Sequence, residues 1–435
     1  VSELLGAAPR PGLPAPTQRV DVLVVGAGPA GLAAAASLAR AGARVLAVDR
    51  EPVAGGIPVT ADHPGFGLPD LGRALSGPRY ARTLVDRALA GGAEVRTATT
   101  VTDLDLATRT ATLTSPEGRR AVTAAAVVLA TGCRERPRAA RLVAGDRPAG
   151  VLTTGALQQL LHGRAGAPHD AVGRRAVVVG SEHVAYSAVL ALRQAGCRTV
   201  AMVTAGSAPD SFWPAWVAGT AAGVRLLRGH RVVAVHGRGR VAGVEVVGPD
   251  GRHTTLDADT VVFTGDWVPD HELARRAGLV MDPGTAGPLV DTGLRCAAPG
   301  VFAAGNLTHP AETASACALD GTVLGQAVLA HLRGAAWPQP GPRLRALAPL
   351  AWVAPQHIGP ERPPRGRFLL RTTQRRRLPR LQVIQDGRVL GDHRLRQAVP
   401  GRSLALPWGA VAGVDGHGGD VTVALVGGTA ARGGS

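Results

Sequence analysis

The chain has no lysine, and all 48 of its basic residues are arginines. Alanine, glycine and proline are also abundant, which is the composition of a GC-rich coding bias. The formal net charge of +16 and the isoelectric point near 11.4 therefore say little about partners on their own. Aromatic residues make up only 3% of the chain. That is too few for a platform on which bases stack, and no RNA-binding or zinc-finger spacing occurs. The arginines read as a solvated surface, and no nucleic-acid partner is expected. The four cysteines, Cys133, Cys197, Cys296 and Cys317, lie far apart with no CxxC pair. This excludes a dithiol active site and a cysteine-held zinc or iron–sulfur centre, and argues against structural disulfides. No run approaches the roughly 18 apolar residues of a membrane span, and no charged segment leads into an apolar leader. A cytoplasmic location without a membrane span is expected.

What the chain does have is material for more than one core: 435 residues at 45% hydrophobic composition suit two larger domains and an appendage. After a proline-rich lead (Pro11, Pro14, Pro16), Val20 to Val25 is an apolar run suited to a buried parallel strand. Gly26-Ala-Gly28-Pro-Ala30-Gly31 follows at once and opens an alanine-rich helix to about Arg40. A second strand, Arg44 to Val48, then leads into Asp49 and Arg50. Strand, glycine turn, helix, strand and acid in this order form a dinucleotide-binding βαβ unit. Gly26 permits the tight turn, Gly28 lets backbone approach a pyrophosphate, and Gly31 allows close helix–strand packing. The helix N-terminus stabilises the anion, and Asp49 can accept from ribose hydroxyls. Ala30 and Arg50 flank the same site.

Farther on, Ala121 to Ala130 is another buried-strand run, ending in Ala130-Thr131-Gly132. This resembles the ATG motif of FAD enzymes with two dinucleotide-binding domains, the thioredoxin-reductase-like architecture. By that resemblance Val101 matches the position whose backbone meets the adenine. Pro299-Gly-Val-Phe-Ala-Ala-Gly305-Asn306 resembles the late motif beside the ribityl chain, with Asn306 where most relatives carry Asp. Asn306 can still hydrogen-bond a hydroxyl but carries no charge. Glu312-Thr313 then opens a helix to about Leu332, whose N-terminal dipole would stabilise reduced flavin.

The topology repeats with a different fingerprint. Arg175 to Val179 reads as a strand, followed by Gly180-Ser-Glu182-His-Val-Ala185, a helix through Ala195, and the strand Thr199 to Val203. Glu182 stands where the middle glycine belongs, and Thr204 follows the second strand where an acid belongs. Arg174 or Arg175 could partly compensate for the added negative charge. Two readings stand: an NAD(P) site with unusual loop chemistry, or a domain kept for structure or docking. Thr264-Gly265-Asp-Trp-Val-Pro269 resembles the return from the second domain to the first.

The loop Gly55-Gly56-Ile-Pro-Val-Thr-Ala-Asp62-His63-Pro64-Gly65-Phe66-Gly67 is too rich in glycine and proline for a regular element. With Gly77-Pro-Arg-Tyr80 and Gly305-Asn-Leu-Thr-His-Pro-Ala-Glu-Thr313, it resembles the larger subunits of opine oxidase, hydrogen cyanide synthase and sarcosine oxidase. These are pyridine nucleotide-disulfide oxidoreductase-like flavoproteins, and the similarity spans about 20 to 335. It implies an amine or imino acid as small-molecule substrate, and a second flavoprotein or iron–sulfur subunit as partner. His63 is the candidate catalytic residue, since an imidazole near the flavin could take a proton. The plainer reading is that it braces the turn. His309 and Glu312 carry the same ambiguity, with helix capping the plain role for Glu312.

From about Ala336 arginine and proline dominate, and fifteen arginines against five acids supply about +10 of the net charge. Runs such as Arg367 to Arg371, Leu381 to Ile384 and Val421 to Leu425 read as strands, with Asp386-Gly387 a hairpin signal. A solvated basic face is the default there, and docking of an acidic partner the sharper alternative. The expected fold is α/β with two Rossmann-like domains. Residues 1–140 and 271–335 form the FAD domain, 141–270 the second dinucleotide-type domain, and 336–435 a small β-rich one. The expected function is an FAD-dependent oxidoreductase taking hydride from substrate, with NAD(P) or a partner subunit as second redox partner. The alternatives are an NAD(P)H-dependent reductase feeding a protein, and a non-catalytic subunit of a flavoprotein complex.

Overall fold

A computed structural model of the chain describes residues 16–162, 172–221 and 223–430, which leaves Pro11 and Pro14 outside. β1, Pro16–Val25, pairs in parallel with β2, Val45–Val48, on one side and with β3, Gly118–Leu129, on the other. A strand enclosed on both edges and both faces needs apolar side chains throughout, which is why Val22 to Val25 do not alternate and are all buried. Between β1 and β2 runs α1, Pro29–Arg40, with proline in its first turn, where a missing N–H costs nothing. β3 starts three residues before the expected strand because its first half pairs with the hairpin Thr100–Asp105/Thr110–Ser115. Its last residues pair in parallel with Val301–Ala303, so the chain returns to this sheet after the second domain. A single apolar cluster joins residues 20–130 with 274–328.

The helix Ala314–Leu332 lies against α1 at a distance set by glycine. A Cβ at Gly321 would sit 2.0 Å from Ala30 O, whereas one at Gly325 would meet the Ser37 hydroxyl at 2.8 Å.

The second unit repeats the plan. α2, Thr154–Leu161, precedes β4, Arg175–Val179, α3, His183–Gln194, β5, Arg198–Thr204, and β6, Thr260–Phe263. In the parallel sheet the order is Val151–Thr153, β6, β4, β5, Leu226–Arg228. A two-stranded antiparallel link, Cys133–Glu135 with Trp267–Pro269, carries the chain out and back.

The last hundred residues form β-sheets, one ordered Leu344–Ala346, Val421–Val426, Arg380–Gln385, Arg388–Arg394. Its hairpin turns on Asp386 (φ 48°) and Gly387 (φ 76°), the two left-handed residues that a type I′ turn requires. The arginine excess here points largely inward. Arg343 pairs with Asp282 at 2.9 Å, Arg375 with Asp210 at 2.8 Å, and Arg371 with Glu312 at 3.8 Å. The basic face expected to be solvated is in good part the cement that holds this domain to the others. The architecture is the expected α/β fold with two Rossmann-type sheets and a β-rich C-terminal part.

Gly321→Ala should lower stability by about 1–3 kcal/mol, because the new methyl meets fixed backbone. Gly325→Ala should be close to neutral, because the Ser37 hydroxyl can move. Thermal denaturation of the two FAD-loaded variants compares them directly.

Candidate functional site

At the end of β1, Gly26 turns at φ 101°, and a Cβ there would lie 2.4 Å from Ala130 O. Gly31 is equally constrained, 1.9 Å from Gly26 O. Gly28 is different: a Cβ would meet only Gly56 Cα, at 3.9 Å, and one at Gly132 would meet nothing within 4 Å. These two positions wall an open crevice between the ends of β1 and β3. No side chain caps α1 and its first turn holds no acid, so its N–H groups and positive dipole end serve an anion. Gly55 N donates to Ala27 O at 2.8 Å, and Gly56, at φ 66°, brings the 55–67 loop over the turn.

Asp49 does more than the sequence suggested. Oδ2 accepts from Ala27 N at 2.7 Å and Oδ1 from Glu51 N at 2.9 Å, so the carboxylate ties the glycine turn to the end of β2. Each oxygen keeps a lone pair for a hydroxyl. Thr99 N donates to Asp49 O at 2.8 Å, which sets the half-buried Val101 on the same rim. Arg50 turns aside to Asp270 at 2.8 Å. The Thr131 hydroxyl donates to Asp270 O at 2.7 Å, so both couple the crevice to the interdomain link. Ala30 must be small, because a Cβ at Gly305 would already lie 2.8 Å from its methyl.

The late motif folds on itself. Asn306 Oδ1 accepts from Glu312 N at 2.6 Å and Nδ2 donates to Glu312 O at 3.0 Å, leaving one donor and one lone pair for a ligand. Thr313, not Glu312, caps the helix, accepting from Ala316 N at 3.3 Å. The Glu312 side chain accepts from the Ser403 hydroxyl and lies 3.9 Å from Arg365. His309 is buried, its Nε2 2.6 Å from Asp320 Oδ2, and Arg365 reaches Asp320 at 3.3 Å. Ser403, Arg365 and Arg371 lie 50 or more positions away in the chain, with no local pattern to announce them.

His63 spans the two domains. Nδ1 lies 3.0 Å from Pro64 O, so it carries the proton of a neutral ring, and Nε2 then accepts from the Ser187 hydroxyl of α3 at 2.6 Å. Both nitrogens are occupied. Gln194 of α3 adds a bond to Asp62 O at 3.3 Å.

The second crevice can be compared with the first position by position. Gly26 N donates to Val48 O and Ala130 N to Val25 O; Gly180 N donates to Val203 O and Thr264 N to Val179 O. Hence Glu182 matches Gly28 and Thr204 matches Asp49. The Glu182 carboxylate folds back into the turn. Oε2 accepts from Ser181 N at 3.0 Å, and Oε1 is buried without a donor among the described residues, since the Thr264 hydroxyl is committed to Val179 O. A Cβ at Gly265 on the opposite wall would lie 3.1 Å from Oε1. Burial raises the Glu182 carboxyl above the usual range, helped by the charge of Asp210; burial and Glu182 do the same to Glu135. Arg174 and Arg175 cannot compensate. They bind Asp259 and Asp257 at the start of β4, at the far end from this turn. Like charges about 4 Å apart at an effective dielectric near 20 repel by about 4 kcal/mol, roughly a thousandfold in affinity. The first crevice fits a dinucleotide and the second does not.

A family model described as pyridine nucleotide-disulphide oxidoreductase matches residues 20–331, which takes in both crevices and the link. The chain belongs to this family. FAD is the cofactor of its first crevice. The chain is 32% identical over 267 residues to sarcosine oxidase subunit alpha of Rhizobium meliloti, covering 59% of this chain and 25% of that one. It is 31% identical over 298 residues to a Nocardioides ferredoxin–NADP reductase, covering 67% and 85%. It spans a quarter to somewhat over a third of the sarcosine and opine oxidase subunits that it matches. Thioredoxin reductase of T. acidophilum shares the fold, with a TM-score of 0.58 at 20% identity, over 72% of this chain and 98% of that one. The thiols differ from a dithiol centre: all four are unpaired, and burial pushes Cys133 and Cys197 up to about 12. Among the described residues no helix is long and apolar enough to cross a membrane.

Gly28→Glu, which copies the second turn into the first, should cost at least about a hundredfold in FAD affinity, read as flavin absorbance retained after desalting. The Glu182 proton gives a pH test. Its folded pKa is raised, so the associated stability is complete below the ordinary 4.5 and is lost as pH rises through the raised value. Glu182→Gln should therefore melt above the parent at pH 8, and the gain should shrink at pH 5.

Proposed function

We propose that the chain oxidises a small amine or imino acid, with FAD in the crevice between Gly28 and Gly132. The observation that carries this reading is that open crevice, set in a pyridine nucleotide-disulphide oxidoreductase fold beside an uncapped helix N-terminus. Bound FAD supplies an acceptor for two electrons as hydride at N5. The chain's own part is to bind and orient. The glycine turn and α1 hold the pyrophosphate, Asp49 the ribose, and Asn306 the polyol chain. Thr313 shapes the N-terminus of Ala314–Leu332, whose dipole favours negative charge on the ring.

The amine class rests on the similarity to sarcosine oxidase subunit alpha. His63 enters as a positioning residue, because its two nitrogens already tie the 55–67 loop to α3. A partner subunit is the proposed second redox partner. The exposed Phe212, Trp213 and Val217 on the second domain suit a protein contact. The likeness to a ferredoxin–NADP reductase favours a second reading, a nicotinamide-driven reductase that feeds another protein.

Anaerobic mixing of the FAD-loaded chain with sarcosine and a panel of N-alkyl amino acids should bleach the visible flavin band. An inert panel together with rapid bleaching by NADPH would establish the reductase reading instead. His63→Asn should slow the amine reaction several-fold at every pH. Loss of the pH dependence itself would make His63 a proton carrier.

A further inference from the structure

The turn that closes the second crevice is itself covered by the segment 208–212, which follows β5. Asp210 N donates to the Ser181 hydroxyl at 3.3 Å, Ser211 N to Ser181 O at 3.0 Å, and Phe212 N to His183 Nε2 at 3.2 Å. Three consecutive amides thus bond to the glycine-turn segment and the first residue of α3. In the first crevice no comparable segment lies over Gly28, whose nearest outside neighbour is Gly56 Cα at 3.9 Å.

The C-terminal domain holds this segment down. Arg375 donates to Ala208 O at 3.1 Å and Pro209 O at 2.7 Å, and pairs with Asp210 Oδ1 at 2.8 Å. Arg402 donates to Asp210 O at 2.7 Å and to Ser211 O, with its guanidinium 4.4 Å from the centre of the Phe212 ring. A Cβ at Gly401 would lie 2.5 Å from Asp210 Cβ, so the two backbones are in contact. Every carbonyl from Ala208 to Ser211 is bound by an arginine from outside the second domain. Ser211 is completely buried.

We propose that the second dinucleotide fold is sealed by its own chain: the Glu182 carboxylate takes the pyrophosphate position, and 208–212 closes the crevice. The C-terminal domain is the clamp that keeps it closed, through Arg375 and Arg402. NAD(H) and NADP(H) are therefore not ligands of this protein, although its sheet has the order and connections of a nucleotide-binding domain. The inference rests on the geometry of the second crevice. It adds to the proposed amine oxidation by removing nicotinamide as the second redox partner.

The test is isothermal titration of the FAD-loaded chain with NADH, NADPH and ADP-ribose, together with amide hydrogen exchange. No binding at millimolar nucleotide is expected, with slow exchange at Ser211 and Phe212. In Arg375→Ala/Arg402→Ala, exchange at these amides should speed up at least tenfold; unchanged exchange overturns the clamp. Adding Glu182→Gly should let ADP-ribose bind at least tenfold more tightly than to the parent, and a folded triple variant that still excludes it overturns the seal. If that variant does not fold, the parent decides: micromolar binding of any of the three nucleotides overturns the seal. Amines tested on the same sample keep the two claims apart. A chain inert to amines that also excludes nucleotides sinks the amine reading alone, and one that binds NADH sinks the seal whatever the amines do.

Discussion

The structure depends on whether a side chain stands at the middle position of a strand-to-helix turn. A parallel strand buried on both faces can deliver a ligand-binding turn only at its end, and the following helix offers unpaired N–H groups there. At Gly28 the position is empty and the helix end faces open space. At Glu182 the same space holds a carboxylate. One chain therefore contains both outcomes of one architecture, and the second serves as an internal control for the first.

Everything around the two turns follows the difference. The first crevice is walled by backbone and small side chains, and its acid, Asp49, is spent on fixing the turn while retaining capacity for hydroxyls. The second is filled by acids. Glu182, Glu135 and Asp210 are each raised by burial, and Arg141 nearby donates to Thr264 O and Gly265 O rather than to a carboxylate. The arginine-rich C-terminal domain, which composition alone would place against a distant partner, turns much of its charge onto Asp210, Asp282, Glu312 and Asp320 of its own chain.

Local chemistry was legible in the sequence. The Gly26-to-Asp49 unit, the Asp386-Gly387 turn and the odd Glu182 could all be read because strand, turn and helix signals act over a few residues. What could not be read is what joins distant segments. Nothing near His63 predicts Ser187, nothing near Glu312 predicts Ser403, and nothing near Asp210 predicts Arg375. These contacts come from how three domains pack, and single arginines carry no label for their partner. Arg174 and Arg175 show the same limit in reverse. They are adjacent in sequence to the altered fingerprint, yet stand at the opposite end of β4 from the turn they were expected to serve.

The central claim is that one crevice of two is open to a dinucleotide. Counting the adenine nucleotide bound per chain, after equilibration with an excess of FAD and NADPH together, tests it most directly. The account predicts one nucleotide per chain, and that one FAD. Two per chain, one of them NADPH, would contradict it.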